Sequence, residues 1–335
     1  MKKLSIIIPY HNEPEVRIAL MFRSLNEQDG VDWNDIEIIV TNDHVSPKNM
    51  TDFFNSFDNI KDVIRYLECP VHVGPGPNRQ FAIDNCFGEY VSFLDADDML
   101  LDHESLNYMI ESIRSGADVY ISDEVVEIFN DTLGLFDRGL SPSKNMFVHG
   151  KIIKKRFLID NKIRFNSKVV VFEDTLFMTL VKSHSNFTTE VIDPFYVYRF
   201  NNNSISRQLG RTKLTEKEIH HWIVLSPRTI ESLQSLPNIE KTTIIKFYFN
   251  WLLDRYDNYA NYSNSVGESE LINQIGYLVK QVDPTLKLAL TINTDTKNDI
   301  PYQDWLKSMV KKCDVEKTKL KYGFEDLCIH PYIVD

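Results

Sequence analysis

The stretch Gly88-Glu-Tyr-Val-Ser-Phe-Leu-Asp-Ala-Asp-Asp-Met-Leu100 decides how the chain is read. Its apolar run, Tyr90 to Leu94, is followed at once by Asp95, Asp97 and Asp98. A short run with Val, Tyr and Phe suits a buried strand of a parallel sheet. Three carboxylates packed so closely at its end repel one another, and their charge needs compensation. A hard divalent cation with oxygen ligands supplies it, above all one that also holds a diphosphate. The carboxyl ends of strands in open α/β sheets are also where ligands bind. The plainer reading is a polar turn that closes the strand and caps the next helix, which Asp does well. From this stretch alone, both readings stand.

The chain of 335 residues is long enough for two domains, or for one large α/β domain with an extension. A hydrophobic content of 43% with 12% aromatics fits a packed globular protein. The net charge of −11 argues against a general nucleic-acid surface, which would be basic. Cys69, Cys86, Cys313 and Cys328 are scattered without metal-ligand or redox spacing, and read as reduced core thiols. The N-terminal Met1-Lys-Lys-Leu-Ser-Ile-Ile-Ile8 mimics the start of a signal peptide, but the apolar run stops at Pro9. His11, Asn12 and Glu13 follow with no small-residue cleavage site. No segment approaches the roughly 20 apolar residues that span a bilayer. A soluble, cytoplasmic protein is expected.

Working outward from the opening stretch, strands and helices alternate. Leu4 to Ile8 reads as a first strand ended by Pro9, and Glu13 to Asn26 as a helix with Val16, Ala19, Leu20, Phe22 and Leu25 at helical spacing. Ile36 to Thr41 reads as the second strand, followed by Asn42, Asp43 and His44. Ser46-Pro47 is a helix start, and Asp62 to Leu67 a third strand. A Gly-Pro-Gly-Pro turn, Gly74 to Pro77, precedes a helix from Asn78 to Cys86, and Tyr90 to Leu94 comes fourth. Such alternation implies βαβ units and a parallel sheet. The polar clusters all follow their strands, so they converge on one sheet edge. That co-location argues for one site.

Past the aspartates, Glu104 to Ser115 reads as a helix ended by Gly116. Val119 to Ile121 and Val125 to Phe129 read as two strands, and Phe147 to Lys151, Ile163 to Phe165 and Val169 to Phe172 as short apolar pieces. Asp174 to Val181 reads as a helix and Tyr196 to Phe200 as a last strand. The short irregular elements suggest a region shaped for a second ligand. From Gln208 onward, amphipathic stretches rich in Leu, Ile, Trp and Tyr predict an all-helical region, with Pro227 breaking the first of them. The division expected is 1–207, with halves 1–98 and 99–207, then a helical region 208–335.

In this order the motifs resemble the inverting glycosyltransferases of family 2, with the GT-A fold. The resemblance covers residues 4–206. It rests on Ser5-Ile-Ile-Ile-Pro-Tyr-His-Asn-Glu13, Glu37-Ile-Ile-Val-Thr-Asn-Asp43, the Arg79 segment and Gly88 to Asp98. His149-Gly-Lys151, Phe172-Glu-Asp174 and Tyr198-Arg199 with Ser204-Ile-Ser206 follow. The resemblance implies a Rossmann-like, mostly parallel sheet flanked by helices, and an enzyme of surface-glycan synthesis. It implies that Asp95, Asp97 and Asp98 form a DxD-type element holding Mn²⁺ or Mg²⁺ and the diphosphate of a nucleotide-sugar. Pro9, Tyr10, Asn12, Asn42 and Asp43 would line the base and ribose pocket, with Arg79 approaching the nucleotide. Asp174 falls at the position of the catalytic base, and His149, Arg199 and Ser206 where relatives contact the diphosphate or donor sugar.

The chemistry stands beside the name. A sugar hydroxyl is a poor nucleophile, and a carboxylate within reach can take its proton as the bond forms. The leaving nucleoside diphosphate develops charge that a divalent ion stabilises, and Arg79 and Arg199 add phosphate contacts. Two departures from the family stand out: Asn42 replaces the first of two aspartates, which loosens the expectation of UDP, and Asn78-Arg-Gln-Phe-Ala82 replaces a more usual Ala-Arg-Asn-x-Gly. The expected acceptor is a hydroxyl on a glycan, a wall polymer or a lipid-linked saccharide, the last requiring a peripheral contact with the membrane. A silent nucleotide- or carbohydrate-binding module and a transferase acting on modified DNA are the alternatives. Retention of both the aspartates and Asp174 argues against the first, and the acidic balance against the second. The C-terminal helices are expected to mediate self-association or acceptor docking.

Overall fold

The computed structural model describes residues 2–43, 49–130, 132–141, 147–165 and 173–201. The chain divides into the units Met1–Asn203 and Ser204–Asp335, and every described residue lies in the first. The Ser46-Pro47 helix start, the Val169–Phe172 piece, Ser206 and the helical region from 208 onward lie outside the described residues.

Four parallel strands form one half of the sheet: β1 (Leu4–Tyr10), β2 (Ile36–Asn42), β3 (Ile64–Glu68) and β4 (Tyr90–Phe93). The other half holds β5 (Met99–Leu100), β6 (Val119–Asn130), β7 (Leu135–Ser141), β8 (Lys151–Lys154) and β9 (Thr188–Tyr198). The sheet order is β3-β2-β1-β4-β8-β6-β9-β5, with β7 beside β6. β8 runs antiparallel to both β4 and β6, so the sheet is mixed. Because β1, β2 and β3 step one way while β4 lies on the far side of β1, the strand order reverses there. Such a switch point opens a crevice at the carboxyl ends of the strands.

The helices cover both faces. α1 (Glu15–Asn26), α2 (Thr51–Asn55) and α4 (Ser105–Ser112) accompany one apolar cluster, built on Leu4, Ile6, Ile8, Ile38 and Val40. α3 (Pro75–Asn85), α5 (Lys155–Asp160) and α6 (Glu173–His184) accompany the other, built on Ile7, Ile39, Val91, Phe93 and Ile153. Alternate residues of β1 and β2 thus serve opposite cores, the period-2 pattern of strands buried on both faces.

Several local expectations change. Pro9 does not end β1, which pairs with β2 through Tyr10. Ile7 O accepts from Leu94 N, so Pro9, two residues on, also faces the β4 side, where β4 has already ended at Phe93. No ladder bond is lost there, which is the position a strand proline tolerates. Phe22 and Leu25 are buried as expected, but Val16 and Leu20 are 71% and 38% exposed, and Ile18 and Met21 take their place on the inner face of α1. Ile18, Met21, Phe22 and Leu25 follow the i, i+3, i+4, i+7 spacing. The two strands read at Val119–Ile121 and Val125–Phe129 are one strand, β6, whose register against β9 shifts between Ser122 and Glu124. The slack lies in β9, where Pro194 sits between the paired residues Val191 and Tyr196. The Gly74–Pro77 turn is the first turn of α3: Gly74 caps it at φ +83° and Pro75 opens it. That φ favours glycine, and proline is preorganised for the first helical position.

Gly88, at the head of the opening stretch, has a packing reason. A Cβ there would lie 2.6 Å from Ser5 N and 2.7 Å from Tyr90 O. Its N–H donates to Ser5 Oγ at 2.8 Å and to Glu37 Oε1 at 3.1 Å, tying β1, β2 and β4 at the sheet edge remote from the site.

Candidate active site

The site is assembled from the carboxyl ends of β1, β2 and β4 and the N-termini of α3 and α6. Its centre is Arg79. The guanidinium, 8% exposed, donates from Nη1 to Glu173 Oε1 at 2.7 Å and from Nη2 to Asp95 Oδ1 at 2.8 Å. α3 therefore supplies one cation that ties the end of β4 to the first turn of α6, where its partner Glu173 lies 94 residues further along the chain than Arg79. Burial works against the charge of Arg79, but Asp95 and Glu173 outweigh it and raise its pKa further. Burial likewise works against ionised Asp95, and Arg79 and then His149 hold its pKa below the ordinary carboxylate value.

Asp174 is the neighbour that Arg79 does not clasp. It follows Glu173 in the first turn of α6, and its Oδ1 accepts from Thr175 N at 2.7 Å. Burial and then the adjacent Glu173 carboxylate push its pKa up to about 7, with Arg79 only partly opposing them. A helix N-terminus favours a carboxylate there, but desolvation and a like charge dominate. A carboxyl balanced near neutrality is suited to taking a proton.

The three aspartates have three environments. Asp98 is buried: Tyr196 Oη donates to its Oδ2, and Arg199 N donates to Oδ1 at 2.8 Å. Burial, then Asp97 and Asp95, raise its pKa well above the ordinary range. Asp97 is partly exposed, with Asn201 Nδ2 donating to Oδ2 at 2.7 Å. The Asp95 side chain keeps a quarter of its surface, 25%, exposed. Glu13 faces the same cluster, its pKa raised first by burial and also by Asp97, while its Oε2 accepts from His11 N and Asn12 N.

Asp43 is nearly buried, with Gly74 N donating to Oδ2 at 2.9 Å and His11 Nδ1 2.5 Å from Oδ1. Pro9 is partly buried, and Asn12 is exposed with φ +131°. Tyr10 and Asn42, by contrast, are 1% and 0% exposed on the inner side of their strands, and Asn42 Nδ2 donates to Tyr66 Oη at 2.8 Å. The structure does not bring those two to the site, because alternate residues of β1 and β2 face the other core. Arg199 lies over the aspartates, with Nη1 donating to Asp97 O at 3.4 Å and Nε 3.9 Å from Glu127 Oε2.

His149 is buried behind the aspartates. Its ring stacks on Tyr196 at 4.7 Å between centroids and on Phe147 at 5.0 Å, and Nδ1 lies 2.6 Å from Glu124 Oε2. Beneath it, fully buried Lys151 donates from Nζ to His149 O at 3.0 Å, and burial brings its pKa down to about 8. Glu173, Glu13, Lys151 and Asn201 receive no role from the sequence, and Glu124, with Asp123, reads there either as facing the acceptor or as a solvated strand end. Glu173 adjoins the candidate base and was legible by proximity. Glu13 and Lys151 stand within the quoted motifs, but their partners, like those of Asn201, come only from the fold.

Among the described residues no helix is long and apolar enough to cross a membrane. Residues 5–181, more than half of the 335, match the family described as Glycosyl transferase family 2. GalNAc(5)-diNAcBac-PP-undecaprenol beta-1,3-glucosyltransferase of Campylobacter jejuni is 29% identical over 224 residues, covering 64% of this chain and 69% of its own. Poly(ribitol-phosphate) beta-glucosyltransferase of Bacillus spizizenii is 28% identical over 186 residues, 52% of this chain, which spans only 28% of that relative. S. aureus TarS 1–349 in complex with UDP-GlcNAc matches with a TM-score of 0.74 at 18% identity, covering 96% of this chain and 91% of that one. The same TarS segment in complex with UDP matches with a TM-score of 0.71. At that identity the likeness concerns the fold. With the family match, the mixed sheet and the helices on both its faces, the chain belongs to glycosyl transferase family 2 and is a glycosyltransferase of the GT-A fold.

Proposed function

We propose that the enzyme transfers one sugar from a UDP-sugar to a hydroxyl of a surface glycan, wall polymer or lipid-linked saccharide, in a single displacement with inversion. The observation that carries this reading is the chain Asp95–Arg79–Glu173–Asp174, which couples the acidic end of β4 to a carboxyl poised near neutrality. Glucosyltransferases acting on an undecaprenol-linked saccharide and on poly(ribitol phosphate) are among the relatives, and the TarS segment binds UDP and UDP-GlcNAc. The donor nucleotide would lie against Pro9, Asn12 and Asp43, and its diphosphate toward Asp95, Asp97 and Arg199.

Asp95 and Asp97 lie with Glu13 and Asp98, whose raised pKa values record in part the crowding of these carboxyls, so the oxygen-rich donor set fits a hard divalent cation. Asp98 is committed to Tyr196 and the Arg199 backbone, which leaves Asp97 and Asp95 to hold Mn²⁺ or Mg²⁺. Such an ion supplies electrostatic stabilisation of the leaving diphosphate. Asn201 orients the Asp97 carboxylate, and Arg79 keeps Asp95 ionised and in place. Asp174 receives the proton of the acceptor hydroxyl as the new bond forms. Glu173 is unsuited to that task because Arg79 occupies it.

The test is a thermal-shift screen of UDP-glucose and UDP-GlcNAc with Mn²⁺, paired with donor hydrolysis by Asp97→Ala. A donor at a hundred times its Kd adds about 2.7 kcal/mol of stability, a shift of several degrees. No shift with any UDP-sugar refutes the donor class. Full hydrolysis by Asp97→Ala in metal-free buffer refutes the metal assignment.

A further inference from the structure

A second set of ligand atoms lies at the β1–β2 end of the same sheet edge. β1 and β2 are parallel with Tyr10 opposite Asn42, so the next residues, His11 and Asp43, are neighbours by register. His72, in the segment before α3, reaches the same carboxylate: its Nδ1 is 3.2 Å from Asp43 Oδ2. The two imidazole rings lie 4.8 Å apart between centroids, tilted by 41°. One ligand atom from each of the three residues falls within 4.8 Å of the others. The Asp43 side chain is 3% exposed, while both histidine side chains are 54% exposed. A fixed carboxylate is thus flanked by two imidazoles that open to solvent.

We propose that His11, Asp43 and His72 form a site for a first-row transition-metal ion of the Zn²⁺ class, separate from the Asp95–Asp97 pair. Two imidazole nitrogens and one carboxylate oxygen are a borderline donor set, suited to Zn²⁺, Co²⁺ or Ni²⁺ and poorly matched to Mg²⁺, which prefers oxygen. Three protein ligands leave a fourth position open. Bonds of about 2.0–2.1 Å in a tetrahedron place ligand atoms about 3.3 Å apart. The His72–Asp43 separation already matches that spacing. The 2.5 Å His11–Asp43 contact is a hydrogen bond whose proton the ion would displace, and binding would draw the three ligand atoms, now within 4.8 Å of one another, to that common spacing. The outer support is built in: Gly74 N–H holds Asp43 Oδ2 at 2.9 Å, from a backbone with φ +83° that disfavours any other residue. Asp43 is also the residue that the proposed function places beside the nucleobase. On that reading, metal and nucleotide compete, and the transition-metal ion is an inhibitor.

Calorimetry of ZnCl₂ into the full chain in metal-free buffer tests the site, with MgCl₂ and uridine as probes. With saturating MgCl₂ occupying the Asp95–Asp97 pair, one Zn²⁺ per chain is expected, with His11→Ala and His72→Ala each weakening binding more than about tenfold, since even outer-sphere losses cost 10–100-fold. Asp97→Asn should bind Zn²⁺ as the parent does. Unchanged Zn²⁺ binding in both histidine variants, or its loss in Asp97→Asn, overturns the site. Uridine carries no diphosphate to chelate the ion, and it should weaken Zn²⁺ binding. If it does not, the competition fails and Asp43 is not at the base, while the three-ligand site stands.

Discussion

The position of Asp174 makes the pH dependence of transfer the most direct probe of this site. A base must be ionised to accept a proton, and this one has a pKa of about 7 set by burial and by Glu173. The ionised fraction is then about one tenth at pH 6 and about nine tenths at pH 8. The kcat/KM for transfer should rise roughly tenfold across that interval, with its acid limb near pH 7. Glu173→Gln is the informative perturbation. It keeps the shape, removes the like charge, and frees Arg79 to act on Asp174, and both changes favour the ionised base. A unit charge about 6 Å away at an effective dielectric constant of 20 is worth about 3 kcal/mol, or two pH units at most. The acid limb of Glu173→Gln should therefore move down by one to two pH units, with the plateau retained at pH 8.

The assay is initial-rate sugar transfer at donor concentrations far below KM, between pH 5 and 9, for the parent chain, Glu173→Gln and Asp174→Asn. Asp174→Asn should lose 10²–10⁴-fold on the pH 8 plateau, the usual contribution of a positioned base, and should lack the acid limb near pH 7. A Glu173→Gln limb that stays at pH 7 or moves upward would refute the electrostatic account of Asp174. A flat profile in the parent chain would remove Asp174 as base altogether.

Two further outcomes follow from the same cluster. Arg79→Ala leaves buried Glu173 and partly buried Asp95 without a counter-charge, and should cost about 3–5 kcal/mol in urea unfolding. A loss below 1 kcal/mol would mean that the two carboxylates relax into solvent. Asp174→Asn should be more stable than the parent at pH 8. The raised pKa of Asp174 means that the folded state binds its proton more tightly than the unfolded chain, so stability falls as pH rises from about 4 to about 7. The full difference approaches 4 kcal/mol above pH 7 and vanishes below pH 4, since each pKa unit is worth 1.36 kcal/mol. Equal thermal stability at pH 8 would contradict it.

What the sequence disclosed follows from what is local. The β-branched runs Leu4–Ile8 and Ile36–Thr41 are buried on both faces, so hydrophobicity alone marks them, and the polar residues after each strand mark one sheet edge. Side-chain direction at a strand end is not local in this way. Tyr10 and Asn42 sit one step from Pro9 and Asp43, yet the pleat turns them into the opposite core. The face of α1 is only half legible for a similar reason: Phe22 and Leu25 lie on it as read, but Val16 and Leu20 are as apolar as Ile18 and Met21, and only the sheet beneath selects between them.

The DxD stretch divides along the same line. Spacing made Asp95, Asp97 and Asp98 look equivalent, but each meets a different distant segment: Arg79 of α3, Asn201 beyond β9, and Tyr196 within β9. The partner sets the role. An arginine keeps Asp95 charged, an amide orients Asp97 while leaving it partly exposed, and a buried phenol draws Asp98 into the scaffold. Asp98 then ties the β4 end to β9 and to the Arg199 backbone, so the least accessible aspartate positions the arginine that overhangs the other two. Three adjacent acids thereby act as anchor, ligand and support, a division that composition at the strand end cannot encode.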